Sequence, residues 1–276
     1  MPLFDWQLFG YINYFKDNQN TKMWTRYISL SKRINTYVPF LFFKNYDLSQ
    51  TSNKNGFLYG IGMKKKPFLF DVFLDKSGKN DIGWDLEYTP YFLKGITLRL
   101  NKHNMVYSRR TVCSAKHTKI KLEATGYKVI ENPRELWWSL AFEKVDDGNS
   151  VITPQLEYDI KNFSYKNTPF ILYFSGWYQF NSKQTDCYYS PDKTDTNIIG
   201  LKIIKPFKNI NLKFKGGIGY SFFDKTYVYI LGLWGNTINI NNLEANLGCE
   251  YSNTSSINKA SNYKSFECEL SARKRW

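Results

Sequence analysis

Apolar and polar residues alternate with a period of two along most of this chain. In the last segment, Phe266, Cys268 and Leu270 share one parity, while Glu267 and Glu269 occupy the positions between them. Successive side chains of a β-strand point to opposite faces, so this segment is predicted to have an apolar face and a charged face. The same alternation recurs at 81–88, 96–101, 119–125, 211–222 and 242–251. No segment shows convincing helical periodicity, so the pattern predicts an all-β fold.

Turn-forming sequences separate these runs and set the number of strands. The clearest are KDNQN at 16–20, DKSGKN at 75–80 and DDGN at 146–149. The predicted strands lie near 5–15, 21–31, 35–45, 54–64, 67–75, 82–90, 93–102, 105–113, 118–128, 134–145, 150–161, 168–180, 196–206, 209–223, 225–236, 239–252 and 262–276. Because the run at 105–113 alternates least clearly, the segmentation predicts about sixteen strands.

Many antiparallel strands with one apolar face each are compatible with two architectures. A soluble sandwich buries the apolar faces in a core about 10 Å thick, whereas a membrane barrel turns them to lipid and its polar faces to a wet lumen. Charges of both signs on neighbouring polar faces favour the barrel, as do aromatic residues near strand ends, where interfacial girdles form. Those aromatic residues are Trp6, Tyr14, Tyr88, Tyr91, Phe92, the segment 173–178 and Trp276. Residues 1–276 are therefore predicted to form one transmembrane, antiparallel up-and-down β-barrel in a bacterial outer membrane, wide enough for an aqueous channel.

The composition agrees with a membrane barrel. Aromatic residues make up 18% of the 276 residues, whereas an ordinary core is mainly aliphatic. No apolar run approaches the length of a transmembrane helix, which excludes helical spans. The first residues, MPLFDWQLFGYINYF, lack the features of a secretory signal. An exported chain of this kind is expected to be a mature form or a piece of a longer precursor.

Charge and cysteine usage narrow the partners and cofactors. The formal net charge is +14, but lysine and arginine are scattered rather than gathered in a stripe, so no nucleic-acid partner is expected. The cysteines form no CxxC pair and predict no metal site; they are Cys113, Cys187, Cys249 and Cys268. Cys249 and Cys268 lie in neighbouring predicted strands, where they either form a disulfide or are two small outward-facing side chains.

One short motif connects the chain with a known family. In the segment NSKQTDCYYSPDKTDTNIIGLKI at 181–203, Tyr188, Tyr189, Ser190 and Pro191 stand between two predicted strands. The segment resembles the C-terminal barrels of exopolysaccharide-export porins, the outer-membrane proteins of poly-N-acetylglucosamine and cellulose secretion. The resemblance implies a barrel that exports a polysaccharide, although the tetratricopeptide domain of that family has no counterpart in this chain. Tyr188 and Tyr189 are candidates either for contact with a glycan or for an interfacial belt.

The C-terminal residue carries a second resemblance. Many bacterial outer-membrane barrels end on Phe or Trp, and their assembly machinery reads the last strand. This chain ends ECELSARKRW, so Trp276 is predicted to be a membrane-assembly signal and the barrel-assembly machinery a partner. The basic RKR that precedes Trp276 departs from the usual form of the signal.

No arrangement of residues predicts catalysis or a bound cofactor, and the chain is not expected to be an enzyme. Nucleophilic catalysis needs a base beside the nucleophile, and the sequence pairs neither His103 nor His117 with one. Asp81, Asp85 and Glu87 share a strand face and are interpreted as lumen charges rather than as a glycosidase pair. The segment KGGIGY lacks the following helix of a phosphate loop.

The predicted function is a passive pore for polysaccharide export or for hydrated solutes. The residues predicted to line the pore are Lys213, Lys215, Glu244, Glu250, Glu267, Glu269, Arg273 and Arg275. An excess of lysine and arginine in the lumen would favour an acidic or neutral glycan. Two alternatives stay open: a barrel that anchors surface loops without transport, and a soluble basic all-β module that binds glycan or nucleic acid. Outer-membrane lipid and a polysaccharide permeant are the remaining expected partners.

Overall fold

Each strand of the chain pairs with its sequence neighbours, and the last strand pairs with the first, so that the sheet closes into a barrel. The computed structural model describes residues 5–18, 21–49, 53–76, 81–104, 117–166, 168–184, 192–207, 209–237, 241–254 and 263–276. The strands are β1 (Trp6–Asp17), β2 (Lys22–Lys32), β3 (Val38–Ser49), β4 (Asn53–Lys65), β5 (Phe68–Asp75), β6 (Asp81–Tyr88), β7 (Ile96–Asn104), β8 (Thr118–Glu131), β9 (Arg134–Val145), β10 (Ser150–Tyr165), β11 (Thr168–Asn181), β12 (Lys193–Phe207), β13 (Ile210–Ser221), β14 (Thr226–Thr237), β15 (Leu243–Thr254) and β16 (Tyr263–Arg275).

The seam between β1 and β16 closes the barrel. Its register runs from Gln7 opposite Arg275 to Asp17 opposite Ser265. Beyond it, the backbone nitrogen of Trp6 donates to the carbonyl oxygen of Trp276 at 3.1 Å, and the nitrogen of Trp276 donates back to Trp6 at 3.2 Å. Closure leaves no unpaired sheet edge, which is the condition for placing strands in lipid.

Contacts between strands that are not neighbours identify the inner face. The ammonium group of Lys215 on β13 lies 2.6 Å from a carboxylate oxygen of Glu157 on β10, although β11 and β12 separate the two strands. Only the concave side of the wall brings such residues together. The opposite parity is therefore the outer face, and it carries highly exposed apolar side chains such as Ile61 (63%) and Ile218 (76%).

The outer face is the apolar one, which excludes the soluble sandwich as the architecture. A sandwich buries its apolar faces between sheets, whereas here leucine, isoleucine and phenylalanine cover the outside of a closed barrel. Within the described residues, no helix is long and apolar enough to cross a bilayer. The chain forms an outer-membrane β-barrel, and the predictions of an all-β barrel and of an outer-membrane location are confirmed.

Aromatic residues lie at or just beyond strand ends at most of the predicted positions, but the segment 173–178 does not follow the prediction, since Tyr173 and Trp177 lie on the inner face of β11. Trp6 at the start of β1 and Tyr91 with Phe92 after β6 are exposed, the last of them to 77%. Tyr173 is fully buried instead, because it lies on the inner face of β11 and packs against Ile198 on the neighbouring strand. The prediction that Tyr173 belongs to an interfacial girdle is therefore wrong.

The two ends of the barrel differ in the length of their connections. The end that holds the chain termini has turns as short as 66–67, 132–133 and 166–167, whereas the other end has the connections 105–117 and 182–192. Outer-membrane barrels have short periplasmic turns and longer extracellular loops. We therefore assign the termini to the periplasmic rim and the long connections to the extracellular rim.

The predicted strands within the described residues agree with the structure to within about four residues at each end, and two of the boundaries that differ have local reasons. β7 begins at Ile96 rather than near 93, because Gly95 has a positive φ of 80° and accepts a hydrogen bond from the nitrogen of Tyr127 at 2.7 Å. β12 begins at Lys193 rather than near 196, because Asp195 is buried against the turn after β13. The predicted strand at 105–113 lies outside the described residues.

The last two strands are joined by a disulfide. Cys249 on β15 and Cys268 on β16 stand directly opposite each other, with their Cα atoms 4.1 Å apart. Both positions belong to the outer face, since Glu267 and Glu269 occupy the inner positions on either side of Cys268. Of the two alternatives that the sequence left open, the structure has the disulfide.

Replacing both cysteines by serine is expected to lower the stability of the barrel. The bond encloses a separation of 19 residues, and a cross-link of that length contributes about 3 kcal/mol by restricting the unfolded chain. The temperature at which the folded form disappears in a heat-modifiability gel should fall in C249S/C268S. Reduced wild-type protein should shift equally, and an unchanged transition in the serine variant would show that the disulfide is not stabilising.

Candidate functional site

A band of aromatic side chains lines the inner face of the strands near the seam. The rings of Tyr11 and Tyr27 stack with centroids 5.2 Å apart, and Phe9 lies 5.9 Å from Tyr27. Phe42 continues the band 5.9 Å beyond Tyr27, and Phe73 follows it at 6.1 Å. We call Phe9, Tyr11, Tyr27, Phe42 and Phe73 the aromatic band; it extends from β1 to β5.

Glycines on neighbouring strands let these rings lie along the wall. Phe42, Gly60 and Phe73 are directly opposite one another across β3, β4 and β5, and Gly83 follows on β6. A β-carbon on Gly60 would lie 2.7 Å from Cζ of Phe42, and one on Gly83 would meet the ring of Phe73. The rings therefore occupy the space above the glycines instead of projecting across the lumen.

The imidazole of His103 extends the same row. Its ring centroid lies 5.2 Å from that of Phe73, on the inner face of β7. This position agrees with the interpretation of His103 as a lumen residue rather than as a catalytic base.

Below the row, Asp71 stands opposite Asp85, and Nε of Arg99 donates to both carboxylate oxygens of Asp85 at 2.8 Å. Asp85, one of the three acidic residues singled out on β6, is thus ion-paired on the barrel wall.

A recess in the inner wall lies on the other side of the seam. It has a volume of about 460 Å³ and contains the carboxylates of Glu250, Glu267 and Glu269. Glu250 and Glu267 are directly opposite each other on β15 and β16, and the side-chain nitrogen of Asn13 donates to Glu267 at 2.8 Å. Trp234 forms part of the lining. The recess therefore contains an indole and three carboxylates.

A cluster of buried charges occupies the inner wall between β10 and β13. Nζ of Lys202 lies 2.6 Å from both Glu157 and Asp159, and Nζ of Lys215 lies 2.6 Å from the second oxygen of Glu157. Both ammonium groups also lie about 5 Å from the ring of Tyr173, at 5.2 Å and 4.9 Å. Only 3% of the Lys202 side chain and 1% of the Asp159 side chain are exposed. These contacts tie β10, β11, β12 and β13 together from inside.

All eight residues predicted to line a pore lie on the inner-face parity of their strands. They are Lys213, Lys215, Glu244, Glu250, Glu267, Glu269, Arg273 and Arg275. Glu244 holds both arginines, with N–O distances of 3.4 Å to Arg273 and 2.9 Å to Arg275. Their role in conduction stays a prediction. Tyr188 and Tyr189, the glycan-contact candidates, lie outside the described residues, and the assembly role of Trp276 also stays a prediction.

Carboxylates outnumber cations among the described inner-face residues. The carboxylates are Asp17, Asp71, Asp75, Asp85, Glu87, Glu123, Glu135, Glu143, Glu157, Asp159, Glu244, Glu250, Glu267 and Glu269. The cations are Lys44, Lys64, Arg99, Lys119, Lys121, Lys202, Lys213, Lys215, Arg273 and Arg275. The expected excess of lysine and arginine in the lumen is therefore absent from this part of the chain. Without that excess, the lumen charge gives no reason to favour an acidic glycan. The period-two alternation of the sequence separates the two faces of each strand, but it cannot show on which face the net charge of +14 is located.

His117 has a structural contact at the extracellular rim. Its Nδ1 lies 2.7 Å from a carboxylate oxygen of Asp146, and the backbone nitrogen of Thr118 donates to the other oxygen at 2.9 Å. Burial raises the pKa of Asp146, but these hydrogen bonds prevail and hold it below its ordinary value. The contact fastens the start of β8 to the turn after β9. Within the described ranges, no three histidine, cysteine or acidic side chains are grouped to hold a metal ion.

The fold and the apolar exterior define an integral outer-membrane β-barrel. A solved bacterial polysaccharide outer-membrane secretin superposes with a TM-score of 0.77 at 13% identity, and the match covers 100% of both chains. CdiB from Acinetobacter baumannii gives a TM-score of 0.51 at 11% identity over 98% of this chain and 61% of its own. At these identities the likeness is one of fold. No protein-family model and no curated protein sequence matches the chain.

Proposed function

We propose that the barrel is a passive outer-membrane pore for hydrated saccharides, and specifically for the export of a polysaccharide. The aromatic band carries the proposal. Apolar faces of sugar rings pack on aromatic side chains, while hydroxyl groups need polar partners beside them. The inner wall offers both, because Tyr11, Tyr27 and Phe42 lie in a face that is otherwise rich in carboxylates and amides.

The placement of the rings also supports transport rather than tight binding. Rings that extend over Gly60 and Gly83 form a row along the wall rather than an enclosed pocket, and successive sugars of a chain would make similar and weak contacts with it. Movement through a pore requires that each site hold the permeant weakly enough to release it. The fold of the polysaccharide secretin named above agrees with this proposal.

The proposal is tested by measuring how neutral oligosaccharides interrupt ionic current through single barrels in a planar bilayer. Maltohexaose should produce brief blocks in the wild-type barrel. The variant F9L/Y11L/Y27L/F42L keeps the inner face apolar but removes the stacking surfaces. At about 0.5–1.5 kcal/mol for each aromatic contact, its block dwell time should fall by at least roughly tenfold.

A matched variant separates the band from aromatic content in general. F43L/F57L/Y59L/F70L changes four exposed rings on the outer face of β3, β4 and β5 and should leave the dwell time unchanged. A barrel that conducts ions but shows no saccharide block would contradict the proposal. A barrel that conducts nothing would favour the surface-anchoring alternative.

A further inference from the structure

Three lysines lie close together on the outer face at the extracellular rim, where the first and last strands meet. Lys16 on β1 stands directly opposite Lys22 on β2, and Lys264 lies at the start of β16, on the other side of β1. All three are exposed. We call them the rim lysines. Like charges opposite each other on neighbouring strands destabilise a sheet, and an anion between the lysines would remove that repulsion.

The protein itself provides no such anion in the described part of the chain, where no carboxylate forms an ion pair with a rim lysine. The neighbouring connections 18–21 and 255–262 contain no aspartate or glutamate in their sequence, and the second includes a further lysine. Arg26, also on the outer face of β2, differs in this respect, because it lies 2.6 Å from Asp47. The rim lysines are therefore an uncompensated patch of positive charge.

An aromatic surface adjoins the rim lysines and extends from them toward the middle of the membrane. The rings of Tyr14 and Trp24 have centroids 4.6 Å apart, and Phe266 lies 6.5 Å from Tyr14. Trp24 is 43% and Phe266 37% exposed on the outer face. Ile12 and Leu270 continue the apolar surface below them. Cations above aromatic rings above aliphatic side chains match a lipid that has an anionic headgroup and acyl chains.

We propose that this surface binds a phosphorylated glycolipid of the outer leaflet, with its phosphates on the rim lysines and its acyl chains along the aromatic surface. The occupant follows from the orientation, because the long connections place this rim at the outer leaflet, whose glycolipids carry phosphate groups. The site is continuous with the lipid-facing wall, so the lipid reaches it without leaving the membrane. The inference does not depend on what passes through the barrel.

The test is native mass spectrometry of the detergent-extracted, delipidated barrel titrated with bis-phosphorylated lipid A. We expect a specific one-lipid complex, and weaker binding of lipid A from which the phosphates have been removed. The variant K16Q/K22Q/K264Q should bind the phosphorylated lipid roughly 100-fold more weakly, because each lysine near a membrane surface contributes about a fivefold factor.

A second triple variant controls for net charge. K32Q/K205Q/K274Q also removes three exposed outer-face lysines, but at the periplasmic rim, and it should bind like the wild type. Heat-dependent gel mobility verifies that each variant is folded. Equal binding by the rim variant, or equal wild-type binding of lipid with and without phosphates, would overturn the proposal. If the rim variant does not fold, the comparison of the two lipids on wild-type protein still decides.

Discussion

Replacing Lys202 by methionine is expected to destabilise the barrel by about 3–5 kcal/mol. Lys202 lies 2.6 Å from Glu157 and from Asp159, and its side chain is 3% exposed. Methionine has a similar length but no charge, so the substitution leaves the buried carboxylate of Asp159 without its cation. Glu157 suffers less, because Lys215 still pairs with it at 2.6 Å. Urea titration of the barrel folded in lipid vesicles, monitored by tryptophan fluorescence, measures the change in the free energy of unfolding.

Two further variants distinguish loss of the ion pair from loss of any lysine. Lys205 is on the same strand but exposed, and among the described residues it donates to the hydroxyl of Thr168 at 3.2 Å. K205M should change the free energy of unfolding by less than about 0.5 kcal/mol. The double variant K202M/D159N removes both charges and should recover part of the loss. A K202M barrel within about 1 kcal/mol of the wild type would show that the cluster is not structural.

The fold could be predicted from the sequence because both faces of a membrane-barrel strand are constrained, the outer one to apolar residues and the inner one to mostly polar residues. Outside positions must be apolar and inside positions tolerate charge, so alternation through β15 and β16 was visible without any structure. Local alternation also placed Cys249 and Cys268 on one face. It could not fix their register, which decides between a disulfide and two separate thiols and depends on pairing along the whole strand.

The candidate site was much less predictable, because its residues come together through closure of the barrel. Phe42 and Phe73 belong to strands that are not neighbours, and nothing local marks the rings as inward-facing. A signal was present nonetheless: Gly60 and Gly62 occupy inner positions of β4, where barrels with a wet lumen usually have polar side chains. Glycine in a strand marks a place where another group approaches closely. Likewise, Lys202 and Glu157 are 45 positions apart along the chain, and only the curvature of the wall joins them.

Removal of the three carboxylates of the seam recess is expected to change the ion selectivity of the pore. Glu250, Glu267 and Glu269 line one recess, and carboxylates outnumber cations on the described inner face. The wild-type barrel should therefore favour cations in a planar bilayer under a potassium chloride gradient. In E250Q/E267Q/E269Q the ratio of potassium to chloride permeability should fall roughly threefold to tenfold at about 0.1 M salt, where the screening length is about 10 Å.

Two controls show whether the change in selectivity is caused by charge: a measurement at high salt, and a variant that removes cations instead of carboxylates. Glutamine keeps the size of glutamate and its hydrogen bond to Asn13, so the shape of the recess is retained. At about 1 M salt the screening length falls to about 3 Å, and the difference between variant and wild type should largely vanish. R273Q/R275Q removes the cations that hold Glu244 and should raise the same ratio. Unchanged selectivity at low salt in both variants would place these side chains outside the conduction path, and would leave the aromatic band as the part of the wall that a permeant contacts.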